Sequence, residues 1–416
     1  AQCLVGSEMC IRDSTYIVYM QRRIMNILFY RYGSICEPDI IASFKHLGFN
    51  ITEDTREVYN KQLLPSDCIK GLNELLKQDT YSFIFSINFF PSVSDVCNIW
   101  GIPYLCLIVD SPVLELFSTS LANPCNKVFL FDRQLYNDFH HINPDGIFHI
   151  PLATNVRDNY ATATMASAAD RARFSSDISF IGSLYSEKCL YNQITLPEKM
   201  RGYVDGLIEA QLLVYGYNFI EECVTPELIE AFCKVRPELI NFPDSMKVDT
   251  KAVIAQHIIS VKVAEQERLR YLKALSEHFN VDLYTGSDTY SMPLIHNRGF
   301  AKTNTEMPII FHQSKINLNL TAKSIRSGLS LRIFDVLGCE GFLITNYQAE
   351  LPEHFNIGED LEAYTSLDDL MGKCEYYLSH DKDRQEIAHN GFEKVKKYHT
   401  YDIRLTQMLE IAFGLK

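Results

Sequence analysis

Ile316–Asn346, INLNLTAKSIRSGLSLRIFDVLGCEGFLITN, is the stretch that decides how the chain is read. It runs as strand, polar loop with a glycine, helix and strand, which is one βαβ unit. Leu329, Ile333, Val336 and Leu337 recur at helical spacing and form a stripe to be buried, with Arg332 and Asp335 together beside it. Lys323, Arg326, Ser327 and Gly328 precede the helix. They gather cationic side chains and free backbone N–H groups where a helix N-terminus attracts anions. A phosphate at that mouth and a carboxylate a turn or two inside it would hold a nucleoside diphosphate. Taken alone, Arg332 and Asp335 fit equally well a surface ion pair on an ordinary α/β helix.

The rest of the chain has to accommodate that unit. At 416 residues it exceeds one typical domain, and its 47% hydrophobic content supplies two sizeable cores. A net charge of −13 argues against a nucleic-acid binder, which needs a basic face. The twelve cysteines are scattered and include no C-x-x-C pair, and several, such as Cys106 in YLCLIVD, read as small buried hydrophobes. A reducing cytoplasm fits that usage. No apolar run is long enough to span a membrane. Residues 1–24 read as a leader foreign to the natural protein. AQCLVGSEMCIRDS resembles a translated sequencing adapter, and a natural start is expected at Met20 or Met25.

From Met25 the signals alternate. MNILFYRY, YSFIFSINFF, PYLCLIVD, KVFLFD and GIFHIPLA are apolar runs of the kind a parallel sheet buried on both faces requires, with helix-like material between them. Asn155–Asp177 is rich in Ala, Ser, Thr and Asp and reads as an interdomain linker. The rhythm restarts at DISFIG and is interrupted by a long helical tract. It then resumes at VDLYTG, INLNLT and FLITN and ends in amphipathic helix from Leu367 onward.

Ser330–Asn346, SLRIFDVLGCEGFLITN, resembles the donor-binding motif of GT-B glycosyltransferases of the group 1 type, in particular a spore-maturation-like bacterial branch. In that family the acidic residue of the motif binds the ribose hydroxyls of a sugar nucleotide, and the matching position is Asp335. Two positions depart from the pattern. Ser327 stands where the wider superfamily often has a glutamate, and Glu340 follows Cys339 where a glycine is usual, with Gly341 one place later. MNILFYRYGSICEPDI, Val109–Pro112, NPCNKVFLFD, HIPLATN, DISFIGSLYSEK and KYHTYDIRL resemble other segments of the same branch, in the same order.

The resemblance implies an α/β fold of GT-B type, with two Rossmann-like domains facing each other across a cleft. Residues 25–160 would form the acceptor-side domain and residues 161–416 the nucleotide-sugar domain. A helical insertion is expected at about 190–280, with the last helix, from His399, packing back on the first domain. The implied activity is transfer of a sugar from a nucleoside-diphosphate donor to a glycan, protein or small-molecule acceptor, retaining and without a metal or other cofactor. A non-hydrolysing nucleotide-sugar epimerase and a degenerate, non-catalytic surface or spore-coat protein are the alternatives.

The candidate residues follow from where charge develops in glycosyl transfer. In Phe180–Lys188 a strand ends in the Gly182-Ser183 turn, where free N–H groups face the carboxyl edge of a sheet. Lys188 resembles the basic residue that the superfamily places near the pyrophosphate. Arg332 heads the competing phosphate contacts, with Lys323 and Arg326 behind it and Ser327 and Gly328 contributing backbone N–H groups. Asp110, at the end of another apolar strand, either orients an acceptor hydroxyl or caps the next helix with Pro112 at its first position.

Overall fold

The computed structural model describes residues 25–239 and 241–414; the leader read at residues 1–24 lies outside them. The first half alternates β1 (Asn26–Tyr30), α1 (Glu37–His46), β2 (Asn50–Asp54), α2 (Pro65–Gln78), β3 (Ile84–Ile87), α3 (Pro91–Trp100), β4 (Tyr104–Leu107), β5 (Asn126–Leu130), α4 (Arg133–Phe139) and β6 (Ile147–His149). These strands form one parallel sheet in the order β2-β1-β3-β4-β5-β6. Every residue of β3 and β4 is buried, as helices on both faces demand, and this is why IFSI and YLCL carry no alternation.

The chain then crosses to the second half through α5 (Val156–Thr164) and α6 (Ala168–Phe174). The stretch expected to be a linker is therefore two short helices. Its alanines favour helix, and Asn155 and Ser167 supply N-caps by accepting from the backbone N–H of Asp158 and Asp170.

The second sheet contains β7 (Ser176–Ile181), β8 (Val281–Tyr284), β9 (His296–Asn297), β10 (Ser314–Asn319), β11 (Leu343–Asn346) and β12 (Glu362–Tyr364). It is parallel, in the order β12-β11-β10-β7-β8-β9. Between β7 and β8 lie α7 (Glu198–Leu212), α8 (Pro226–Val235) and the long α9 (Ser260–Ser276). The first two share a separate core built on Val204, Ile208, Leu228 and Phe232. The carboxyl half of α9 instead packs Tyr271, Leu272 and Leu275 into the core of the second sheet, as a crossover helix must. α10 (Met307–Gln313) precedes β10, and α11 (Leu331–Gly338) joins β10 to β11.

Three helices close the chain: α12 (Leu367–Ser379), α13 (Asp381–Tyr398) and α14 (Tyr401–Phe413). Between the last two, the backbone returns to the first domain beside the outgoing crossing. Thr154 N–H donates to His399 O, and Tyr401 N–H donates to Thr154 O, at 3.0 and 3.1 Å. Helix α14 then lies on α1, with His46 Nδ1 2.7 Å from Asp402 Oδ2 and Phe413 packed on Phe83. Two paired crossings thus join two parallel sheets whose carboxyl edges face each other.

Candidate functional site

The polar loop Leu320–Ser330 leaves the carboxyl end of β10 and is held by side chains of the next strand. Asn346 accepts from Thr321 N–H at 2.8 Å, and Gln348 donates to the carbonyls of Ile325 and Gly328. The loop then docks on the first domain. Ser111 and Ser324 exchange hydroxyl-to-carbonyl bonds of 3.0 and 2.9 Å. Asp132 caps α4 by accepting from Gln134 and Leu135 N–H, and with its other oxygen accepts from Arg326 N–H at 2.6 Å. Ser327 Oγ sits between two carboxylates, 2.9 Å from Asp132 and 2.6 Å from Glu350.

Three residues expected at a phosphate therefore lie in the seam between the domains. The Arg326 guanidinium pairs with Asp138 and lies 4.0 Å from Glu221. Gly328 passes so close to β5 that a Cβ there would stand 2.7 Å from Phe131 O. Glu350 completes the seam by accepting from Arg133 N–H at 2.9 Å and lying 2.9 Å from His149 Nε2.

Behind this loop, α11 carries Arg332 and Asp335 on one face. Asp335 accepts a 2.8 Å bond from Thr154 Oγ1, the crossing residue, and lies 3.7 Å from Arg332 Nη1. The Arg332 and Asp335 side chains keep about a fifth of their surface accessible, 21% and 19%, and Asp335 lines a pocket. Burial raises the Asp335 pKa, against the opposing pull of Arg332 and the Thr154 bond. Burial likewise lowers that of Arg332, against the charge of Asp335. The pocket is interdomain. Cys36, just before α1, and Asp39 of α1 form one wall, Asp335, Asn304 and Met307 the other, and Tyr401 closes it. With about 20 Å³ it holds roughly one water molecule, not a nucleotide.

Gly182 and Ser183 form the predicted turn at the end of β7. Gly182 N–H donates to Tyr284 O at 3.1 Å, and Ser183 Oγ accepts from Tyr185 N–H, with Tyr185 at φ +68°. Lys188 follows on an exposed turn, with its side chain in solvent. On the opposite edge Asp110 is exposed, and one of its oxygens accepts from Asn88 Nδ2 at 2.7 Å. The same amide lies 2.9 Å from Tyr32 OH, and Asn88 Oδ1 accepts from Val109 N–H. Burial and the Asp110 charge raise the pKa of the Tyr32 phenol.

Sequence reading missed Asn88, Asp39, Asp132 and Glu350. Only Asn88 left a trace: an Asn directly after a strand is a candidate for the left-handed region, and its φ is +58°. The others matter through partners distant in sequence.

A sequence model of a family described as glycosyl transferase-like matches residues 266–410, which hold β8–β12 and α10–α13 with Arg332 and Asp335. Among solved structures, a glycosyltransferase from Rickettsia africae ESF-5 is 13% identical and aligns over 94% of this chain and 98% of its own, with a TM-score of 0.53. Sucrose-phosphate synthase from Thermosynechococcus elongatus aligns over 94% and 100% at 10% identity, with the same TM-score of 0.53. The chain has the GT-B glycosyltransferase fold. A UDP-forming α,α-trehalose-phosphate synthase from Burkholderia xenovorans shares it, at 12% identity over 94% and 99% of the two chains and a TM-score of 0.53. No curated protein sequence matches significantly. The pocket at Asp335 is lined from both halves of the chain, and the seam from Ser324 to Gly328 joins the two halves. No helix among the described residues is long and apolar enough to cross a membrane.

Proposed function

We propose that this GT-B protein transfers a sugar from a nucleoside-diphosphate donor to an acceptor hydroxyl, with retention of anomeric configuration and with protein groups rather than a metal stabilising the leaving diphosphate. One observation carries the reading: within the segment matching the glycosyl transferase-like family, Asp335 opens into the pocket between the domains instead of facing solvent. There it would accept the ribose hydroxyls. Arg332, the Ser183 N–H that follows Gly182 in the turn, and Lys188 would take up the charge that develops on the diphosphate as the glycosidic bond breaks. Arg326, Ser327 and Gly328 would join them once the seam parts. Asp110, held on one oxygen by Asn88, keeps the other for an acceptor hydroxyl across the cleft.

The volume at Asp335 requires the cleft to open for donor entry, and the paired crossings at Thr154 and Thr400 are the natural hinge. Reclosure would exclude water and protect the donor from hydrolysis. The free cysteines, most of them buried, favour a reducing cytoplasm.

Titration calorimetry with UDP, GDP, ADP and dTDP tests the reading. One of them should bind, and Asp335→Asn should weaken it by on the order of 10- to 100-fold, since a charge-assisted pair of bonds to ribose is lost. Unchanged affinity in a folded Asp335→Asn protein would remove the ribose assignment.

A further inference from the structure

α9 crosses over to the second sheet, and Arg268, midway along it, reaches the carboxyl edge of that sheet. One guanidinium nitrogen donates to Ser183 O in the β7 turn, and the other donates to Leu320 O at the start of the β10 loop, at 2.7 Å. The plane lies over Tyr185 and Phe180, 4.4 and 5.3 Å from their centroids, and the residue is only 9% exposed. Of its five N–H groups two are used, and Nε is buried without a partner. Arg332 Nη1 also lacks a hydrogen-bond partner, though the Asp335 carboxylate lies 3.7 Å from it. The positive charge of Arg268 is one of the influences disfavouring the charged form of Arg332. A guanidinium nine-tenths buried, with Nε unpaired and no ion-pair partner among the described residues, is costly unless an anion reaches it. The loops they bind are those that flank the proposed donor site.

We propose that Arg268, supplied by the crossover helix α9, is a diphosphate-binding residue: with Arg332 it forms a two-guanidinium cradle for the pyrophosphate of the donor, while its carbonyl bonds fix the spacing of the β7 and β10 loops. This rests on the reading of the cleft as a nucleotide-sugar site and assigns the charged half of that site.

Inorganic pyrophosphate is a probe for this subsite alone, and the nucleoside of whichever diphosphate binds best (uridine where that is UDP) for the nucleoside side alone. Wild-type protein should bind pyrophosphate in calorimetry, and Arg268→Gln should lose roughly tenfold or more of that affinity. Arg268→Lys, which keeps the charge but not the planar fork, should fall between the two. Asp335→Asn should retain pyrophosphate while losing the best nucleoside diphosphate, and affinity for that nucleoside should be equal in wild type and Arg268→Gln. Loss of nucleoside and pyrophosphate binding together in Arg268→Gln would show that Arg268 merely holds the loops, and would overturn the assignment. So would wild-type pyrophosphate affinity in a folded Arg268→Gln, or no pyrophosphate binding by the wild type. Pyrophosphate binding without binding of any nucleoside diphosphate would instead overturn the donor reading and leave the cradle standing. Should Arg268→Gln fail to fold, the same comparison with Arg268→Lys decides: wild-type pyrophosphate affinity overturns the assignment, and a selective loss supports it.

Discussion

A methyl group at position 328 has no room while the domains are apposed. Phe131 O would lie 2.7 Å and the Asp132 Cα 2.8 Å from it, and both are backbone atoms that no rotamer change can move. Gly328→Ala should therefore act on closure rather than on either domain. Overpacking of this kind costs about 1–3 kcal/mol, enough to move an open–closed equilibrium strongly toward open. Small-angle scattering should show a larger radius of gyration for Gly328→Ala than for wild type, with unchanged far-UV circular dichroism. An unchanged radius would mean that the seam is not what holds the domains together. The same loop shows what could and could not be read from the chain. Its polarity, its glycine and the helix after it were legible, because they are local. That Arg326 and Ser327 bond to Asp132 was not, since the partner lies some 190 residues away in another domain. Asp335 was legible because helical spacing alone separates it from the buried stripe of Ile333, Val336 and Leu337.

Among the elements, the strands were the easiest to read and the Ala-rich crossing the hardest. Continuous apolar runs such as YLCL admit few roles besides a strand buried on both faces, and β4 is one. Residues 155–177 look like a linker because little in them is apolar. They form helices because alanine needs no apolar partner to be helical and the caps lie at the right places. Asn155 carries two loads there. Its carbonyl oxygen caps α5 through Asp158 N–H, and its amide donates to Asp39 on α1 at 3.0 Å. Asn155→Ala should lower unfolding free energy in urea by about 1 kcal/mol, the usual value of an N-cap. Asn155→Asp keeps the cap but sets a carboxylate against Asp39, and should be the less stable of the two at neutral pH. The reverse order would mean that the amide bond to Asp39 contributes little.

For the molecule as a whole, closure brings carboxyl groups of opposite domains into one pocket. Asp39, from the first domain, is pushed up to about 6 by burial, with the charges of Asp335 and Asp158 adding to the shift against the Asn155 bond. A carboxyl whose pKa is higher in the closed protein favours closure when protonated, and that contribution fades as pH rises through about 6. Glu350 in the seam behaves oppositely. Burial would raise its pKa, but His149, Ser327 and the Arg133 N–H together hold it below the ordinary 4.5, so its contribution is present above that value and lost as pH falls. The two windows overlap only between about 4.5 and 6, where closure should be strongest. Scattering across that range should give the smallest radius of gyration near its middle and a larger one at neutral pH. Asp39→Asn has no proton to lose, and its neutral amide cannot repel Asp335, so its radius should stay small as pH rises to neutrality. An expansion of that variant matching wild type would show that the pocket carboxyls do not govern opening, and that donor entry depends on the seam alone.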